Sequence, residues 1–420
     1  MHRICLVLIL AAACSKKPAP VHDRTRVIGL DLTSSRARAV SVGGGKVRVV
    51  LLEDPTEEMP MFLACERRTP EVGRAAYALI RKMPHAVGSN FLPAVGQPRE
   101  IRAGKYAFTP DAVLELAFTR LRVPIVAEAD SVALALPAYL APNQVTRVVE
   151  LAARTKFPLK GTAAAPLAVA AHRAAILLAG KSQNAPEKST PSGWVVPMRP
   201  AASGPGSVLI LDADEFALSA SAILVERDSA KLLASAIWTR VAVKAWKDRL
   251  LDAVADRCVR LCRRDPRDSA DAEQSLFEQL DEALDRARAG QRVSLTIRTA
   301  HWYQDLVLQP DELEGYCSGL AQAGADAVRE LIASLPAPPR AVWLTHAAGR
   351  LPGLGLAIHQ TSPEGTAVEV LPAGAVAHAA AALVPRWLAG ELPRTHLDAS
   401  ISFPPISLRV DSPKVNPARG

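Results

Sequence analysis

Short, continuous apolar runs alternate along this chain with longer stretches of helical period. "VLILDADEFALSAS" (Val208 to Ser221) shows the pattern in miniature: four apolar residues run into Asp212, and the chain then turns. Runs of this length, bounded by turn residues, predict buried strands. "RVIGLDLTSSRARAVSV" reads as strand, turn and second strand, with Gly43 to Lys46 as the following hairpin turn. "DSVALALPAYL" predicts another buried strand, "QRVSLTIRT" and "WYQDLVLQ" a hairpin, and "RAVWLTHAAGRLPGLGLAIHQ" a strand, a turn and a helix. Helix starts are marked by Thr109 as N-cap with Pro110 at the first helical position, by Pro142 and by Pro310. After "TKFPLKG", the stretch "TAAAPLAVAAHRAAILLAG" predicts an alanine-rich helix, and a helical stretch from Val243 to Ala289 breaks near Asp265-Pro266. Strands alternating with long helices predict an α/β fold with partly parallel sheets. Lys181 to Ser207, rich in Pro, Ser, Gly, Lys and Asn, reads as a surface loop or hinge between two lobes. Each half repeats one theme: strand, aspartate, turn.

Composition changes this picture little. The 420 residues suffice for two or more packed domains, and neither composition nor the formal charge of +8 suggests wholesale disorder. The tightest basic cluster, Arg257, Arg260, Arg263, Arg264 and Arg267, has no interleaved aromatics, so it reads as a solvated helix face and no nucleic-acid partner is expected. Cys65, Cys258, Cys262 and Cys317 lack metal-site spacing, and the histidines form no catalytic or metal motif, so no catalytic or metal-ligating residue is assigned.

The N-terminus, "MHRICLVLILAAACSKK", has an early arginine, an apolar run from Ile4 to Leu10 and small residues before Cys14. This is the pattern of a lipoprotein signal in which Cys14 becomes the acylated first residue, although Ala11 stands where such signals prefer leucine. It predicts a protein tethered to an extracytoplasmic membrane face. A fortuitous apolar leader on a cytoplasmic protein is the alternative.

The order of motifs resembles the nucleotide-binding domain of the heat-shock protein 70 chaperones. The best-kept segment is "LALPAYLAPNQVTRVVELAARTKFPLKGTAAAPLAVAA", where Pro137, Ala138, Tyr139, Gln144 and Pro166 fall in place. "FTPDAVLELAFTRL" and "GAVAHAAAAL" resemble the family's helices on either side. The resemblance covers roughly Val27 to Leu392 and implies a two-lobed, actin-like ATPase fold of duplicated ribonuclease H-like domains. The implied layout is a signal over 1–14, a tether over 15–26, lobe I over 27–206, lobe II over 207–392 and a linker-like tail over 393–420. The residues after Leu392 leave no room for the family's peptide-binding domain, and Pro405-Ile406-Ser407-Leu408 only faintly resembles the first strand after the linker.

The family's chemistry is poorly kept. Two glycine-bearing hairpins there clamp ATP phosphates, because only glycine lets the backbone approach so closely. The first appears here as Asp31-Leu32-Thr33-Ser34-Ser35, and the second as Asp212-Ala213-Asp214-Glu215-Phe216, with every glycine replaced. The family's lysine aligns loosely with Leu92 and its metal-organising glutamate with Ala165. Its later Gly-Gly falls on Ala242-Val243. The adenosine motif appears as "HAAGRLP", which keeps Arg350 and Pro352, and Asp285 and Arg288 stand in for an adenine-side Glu and Lys. If Asp214 and Glu215 point inward, each repels a phosphate charge at ~4 Å by roughly 4 kcal/mol at an effective dielectric near 20. If they face solvent, they do not.

The resulting expectation is a non-catalytic, heat-shock-70-like module that binds no cofactor and works through an unidentified protein partner. Its candidate contact surfaces are the interlobe cleft and the basic helix near Arg263. The alternative is an ATP-binding chaperone-type ATPase with weakened loops, using Asp31, Ser34, Ser35 and Asp212 with Mg²⁺ and ATP or ADP.

Overall fold

The computed structural model describes residues 26–66, 68–178, 206–226, 229–393 and 396–402. Cys14, the tether, most of the 181–207 loop and Pro405 to Leu408 lie outside the described residues. The chain opens with the meander β1 (Val27–Leu32), β2 (Arg36–Gly43) and β3 (Lys46–Val50). Its second turn uses Gly44 and Gly45, both at positive φ, where a side chain would be strained. Six short strands follow: β4 (Glu58–Pro60), β5 (Leu63–Ala64), β6 (Glu71–Val72), β7 (Val87–Gly88), β8 (Ile101–Ala103) and β9 (Tyr106–Phe108), with helix α1 (Arg74–Tyr77) between β6 and β7. Helix α2 (Pro110–Glu128) starts where the Thr109 hydroxyl accepts from the Ala112 N–H at 3.2 Å, as its N-cap pattern predicts. Strand β10 (Val132–Leu136), α3 (Pro142–Arg154), β11 (Leu159–Ala164) and α4 (Ala165–Leu178) complete this half.

The second half repeats the opening meander as β12 (Gly206–Ala213), β13 (Leu218–Val225) and β14 (Ser229–Trp238). It continues through α5 (Val243–Cys262), α6 (Ala270–Arg288), the hairpin β15 (Val293–Arg298) and β16 (Tyr303–Leu308), and α7 (Pro310–Ala333). Strand β17 (Ala341–Leu344), α8 (His346–Gly349), α9 (Leu354–Thr361), β18 (Ala367–Val370) and α10 (Ala375–Leu388) follow, then β19 (His396–Leu397) and β20 (Ser400–Ser402). The result is a mixed α/β protein with two large mixed sheets.

Those sheets share one topology. The first runs β11-β10-β1-β2-β3 and the second β18-β17-β12-β13-β14. In each, the strand that opens the half pairs in parallel with a later strand and antiparallel with its own hairpin partner. In each, that opening strand carries the aspartate, Asp31 or Asp212, at its C-terminal end. Helix α10 packs on the first sheet, α4 packs against the second, and the two helices pack on one another, so an alanine-rich core joins the halves. Gly29 of β1 permits the approach of α10, because a Cβ there would overlap the Ala377 carbonyl.

Two segments depart from the sequence expectation. "LKGTAA" is strand β11, not the crossing before a helix, because parallel pairing with β10 fixes it in the sheet. Residues 396–402, expected as linker, form β19 on β11 of the first sheet and β20 on β14 of the second, so one strap touches both sheets.

Candidate functional site

The C-terminal ends of β1 and β12 bring the two aspartate turns face to face. Thr33, Ser34 and Asp31 of the first turn are all buried, as are Asp214 and Glu215 of the second. Both acids therefore point inward, which decides between the two orientations left open above.

Asp214 is the centre of the arrangement. Its Oδ1 accepts from the N–H groups of Phe216 at 2.9 Å and Ala217 at 3.0 Å. Its Oδ2 accepts from the Ser34 N–H at 3.0 Å and from the Tyr139 hydroxyl at 2.6 Å. The Phe216 N–H also reaches the Ser34 hydroxyl at 3.1 Å, and the Tyr139 and Phe216 rings pack at a tilt with centroids 5.0 Å apart. Backbone donors of two facing turns thus converge on one carboxylate, which is how such turns hold an anion. Here the chain supplies the anion itself.

Asp31 and Asp212 sit behind this knot and differ in support. Asp212 Oδ1 accepts from the Thr345 hydroxyl at 2.6 Å and from the Ala213 N–H at 3.0 Å, whereas among the described residues no hydrogen bond holds the Asp31 carboxyl. Burial pushes Asp31 up to about 7, with the Asp212 charge adding to it and Arg36 and Arg38 opposing. Asp212 is also raised, by burial first, against the hydrogen bond from Thr345. Ser35 contributes a hydroxyl 3.3 Å from that of Thr33 and lines the neighbouring cavity.

That cavity, of about 410 Å³, lies between the halves and is lined by Arg36, Arg38, Tyr77, Glu215, Lys247 and Arg350 among others. Arg36 and Arg38, two apart on β2, both reach Glu58 Oε1, at 3.1 and 2.6 Å. Across the cavity, Asp281 of α6 accepts from Tyr77 at 2.8 Å and Lys247 at 2.9 Å, and pairs with Arg350 at 2.5 Å. Burial works against that carboxylate, yet Lys247 and Arg350 hold its pKa well below the usual range. Gln274 ties the same wall to the first half, accepting from the Arg81 N–H at 2.7 Å and donating to the Tyr77 carbonyl at 3.0 Å.

The adenine-side candidates are only partly assembled. Arg350 comes within 3.6 Å of Asp285, whose other oxygen lies 3.1 Å from His346 Nε2. Arg288 is half-buried beside them, makes no ion pair among the described residues, and burial lowers its pKa. Leu92 and Ala165 are buried and do not line the cavity. The basic helix is largely neutralised at two positions: Arg257 pairs with Glu312, and Arg267 with Asp252, Asp256 and Asp265.

The sequence reading missed Arg36, Arg38, Glu58, Lys247 and Asp281. A usable signal existed for the first two, since arginines at i and i+2 share one strand face, and this strand directly follows the aspartate turn. Among the described residues no group of three or more His, Cys, Asp or Glu is arranged to hold a metal, and no helix is long and apolar enough to cross a membrane. Compared with known proteins, the chain matches no family model and no curated protein sequence.

Proposed function

We propose that the two halves are the lobes of a duplicated, ribonuclease H-like fold of the actin-like ATPase kind. On this reading the chain is a heat-shock-70-like module that neither binds nor turns over ATP and acts through protein contacts. The shared strand order, with an aspartate ending the first strand of each sheet, supports the fold. One observation carries the function: the Asp214 carboxylate takes the four donors that the facing turns and Tyr139 offer to an anion. A polyphosphate entering there displaces those hydrogen bonds and meets a second buried acid, Glu215, within the same turn. Leucine and alanine at the positions of the family's lysine and glutamate leave no group there to orient an attacking water.

Calorimetry with MgATP and MgADP at millimolar nucleotide tests this. The expected result is no saturable heat. Stoichiometric binding overturns the reading, and turnover abolished by Asp212→Ala establishes the ATPase alternative. The tether to a membrane surface through Cys14 is a separate part of the proposal, checked by mass spectrometry of the mature N-terminus. An acylated chain beginning at Cys14 supports it, and an unmodified chain beginning at Met1 removes it.

A further inference from the structure

Three arginines converge on the cavity between the halves, and each is short of hydrogen-bond partners. The side chains of Arg36, Arg38 and Arg350 are 9%, 9% and 8% exposed. Nε of Arg36, Nε and Nη1 of Arg38, and Nε of Arg350 are buried and donate to nothing among the described residues. Their contacts with Glu58 do not cure this: the shared Oε1 is close to both guanidinium groups but accepts no well-aligned hydrogen bond from either. An unpaired buried donor is costly, and native interiors hold few of them. Four of them in one wall, closed off from the open space of the cavity as it stands, call for an acceptor that enters with a shift of these side chains. We propose that the cavity binds a small organic carboxylate with an apolar body, its carboxylate held by Arg38 with Arg36 and Arg350.

Charge favours a single carboxylate over a phosphate. Four cations in the wall are buried, Arg36, Arg38, Lys247 and Arg350, against three buried or half-buried acids, Glu58, Glu215 and Asp281, a surplus of one. Of the exposed groups on the same lining, Arg74 offsets only one of Glu57 and Glu278, so the whole wall carries five cations against five acids and leaves no surplus for a dianion. Burial, then the neighbouring charges of Arg36 and Arg350, lower the pKa of Arg38, and an incoming carboxylate relieves that crowding. Guanidinium groups suit planar oxyanions of this kind. The rest of the ligand has apolar surface to meet, since Pro60, Phe62, Tyr77 and Val243 line the same space. The volume of about 410 Å³ falls within the roughly 300–1,000 Å³ of small-ligand pockets. This proposal deepens the functional reading above and rests on it in one respect: Asp214 already fills the phosphate position next door.

The test uses the full chain and hippurate, which joins one carboxylate to a phenyl ring. Calorimetry should show one site with a Kd below about 1 mM. Arg38→Met should weaken it at least about tenfold, and the uncharged amide of hippurate should not bind. Because Arg38→Met removes a buried charge and is able to disturb folding, arginine Nε–H signals of the unaltered protein give a second readout, and those of Arg36 and Arg38 should shift on titration. No saturable heat up to about 10 mM hippurate, or equal binding of the amide, overturns the proposal. A parallel MgADP titration separates the two failures. Silence from both ligands sinks the carboxylate site alone, whereas MgADP binding that hippurate competes away sinks the reading of Asp214 as a resident anion.

Discussion

The turns after β1 and β12 occupy equivalent places in two sheets of equal topology, yet they have taken opposite roles. The first, Thr33-Ser34-Ser35, presents donors: the Ser34 N–H reaches across to Asp214. The second, Asp214-Glu215-Phe216, presents the acceptor and folds its own N–H groups back onto it. A pair of symmetric turns, each offering bare backbone, would leave a gap for an external anion. This asymmetric pair closes the gap with a side chain. Glycine is not absent from the protein; it is spent elsewhere. Gly29 and Gly161 sit where α10 presses on the first sheet, the latter under the Trp387 ring, so close approach serves packing between the halves and not a ligand.

Substitutions sharpen the contrast. Gly29→Ala drives a methyl into the α10 backbone and should cost about 3 kcal/mol, read by chemical denaturation. Thr33→Gly, which puts a glycine into the first turn, should cost only about 1 kcal/mol for the lost hydroxyl contacts with Arg36. If the two cost the same, glycine is not partitioned as argued. Asp214→Ala leaves the Ser34 and Ala217 N–H groups and the Tyr139 hydroxyl without their acceptor, the Phe216 N–H still reaching Ser34, and should cost about 2–3 kcal/mol. Tyr139→Phe removes one of those donors and should cost about 1 kcal/mol, with no further loss when combined with Asp214→Ala. Additive losses in that cycle break the claim that the two residues act on one another.

Asp31→Asn should act in the opposite direction. With its folded pKa raised to about 7, Asp31 contributes stability that is fully present below the unfolded value of 3.8 and is lost as pH rises through about 7. The asparagine variant should therefore be more stable than the parent at pH 8, by up to roughly 4 kcal/mol, and no more stable at pH 4. A gain that does not depend on pH contradicts the buried-carboxyl account.

How much of this was legible in the sequence depends on how local the cause is. The starts of α2, α3 and α7 were readable because Thr109, Pro110, Pro142 and Pro310 act within one turn of chain. The hairpin β15–β16 and the break between α5 and α6 at Pro266 were readable for the same reason. Strand β11 was hidden because Gly161 and two alanines disfavour a strand and Thr162 alone does not outweigh them, so that parallel neighbours on both sides make them one. Strand β14 went unassigned, since "SAKLLASAIW" lies near the sheet edge and its face pattern is soft. The strap strands β19 and β20 are too short to show a period.

At the site, the aspartate turns were legible as turns, but the inward aim of Asp214 was not. It depends on Ser34 and Tyr139 arriving from 180 and 75 residues away. Arg36 and Arg38 were overlooked because an alternating strand ordinarily places such charges in solvent. Here the second half covers that face.

A crystal structure grown with MgADP tests the central claim most directly. The prediction is Asp214 still bonded to Ser34 and Tyr139, with no polyphosphate between the turns. A phosphate oxygen within hydrogen-bond distance of the Ser34 and Phe216 N–H groups, with Asp214 swung away, contradicts it.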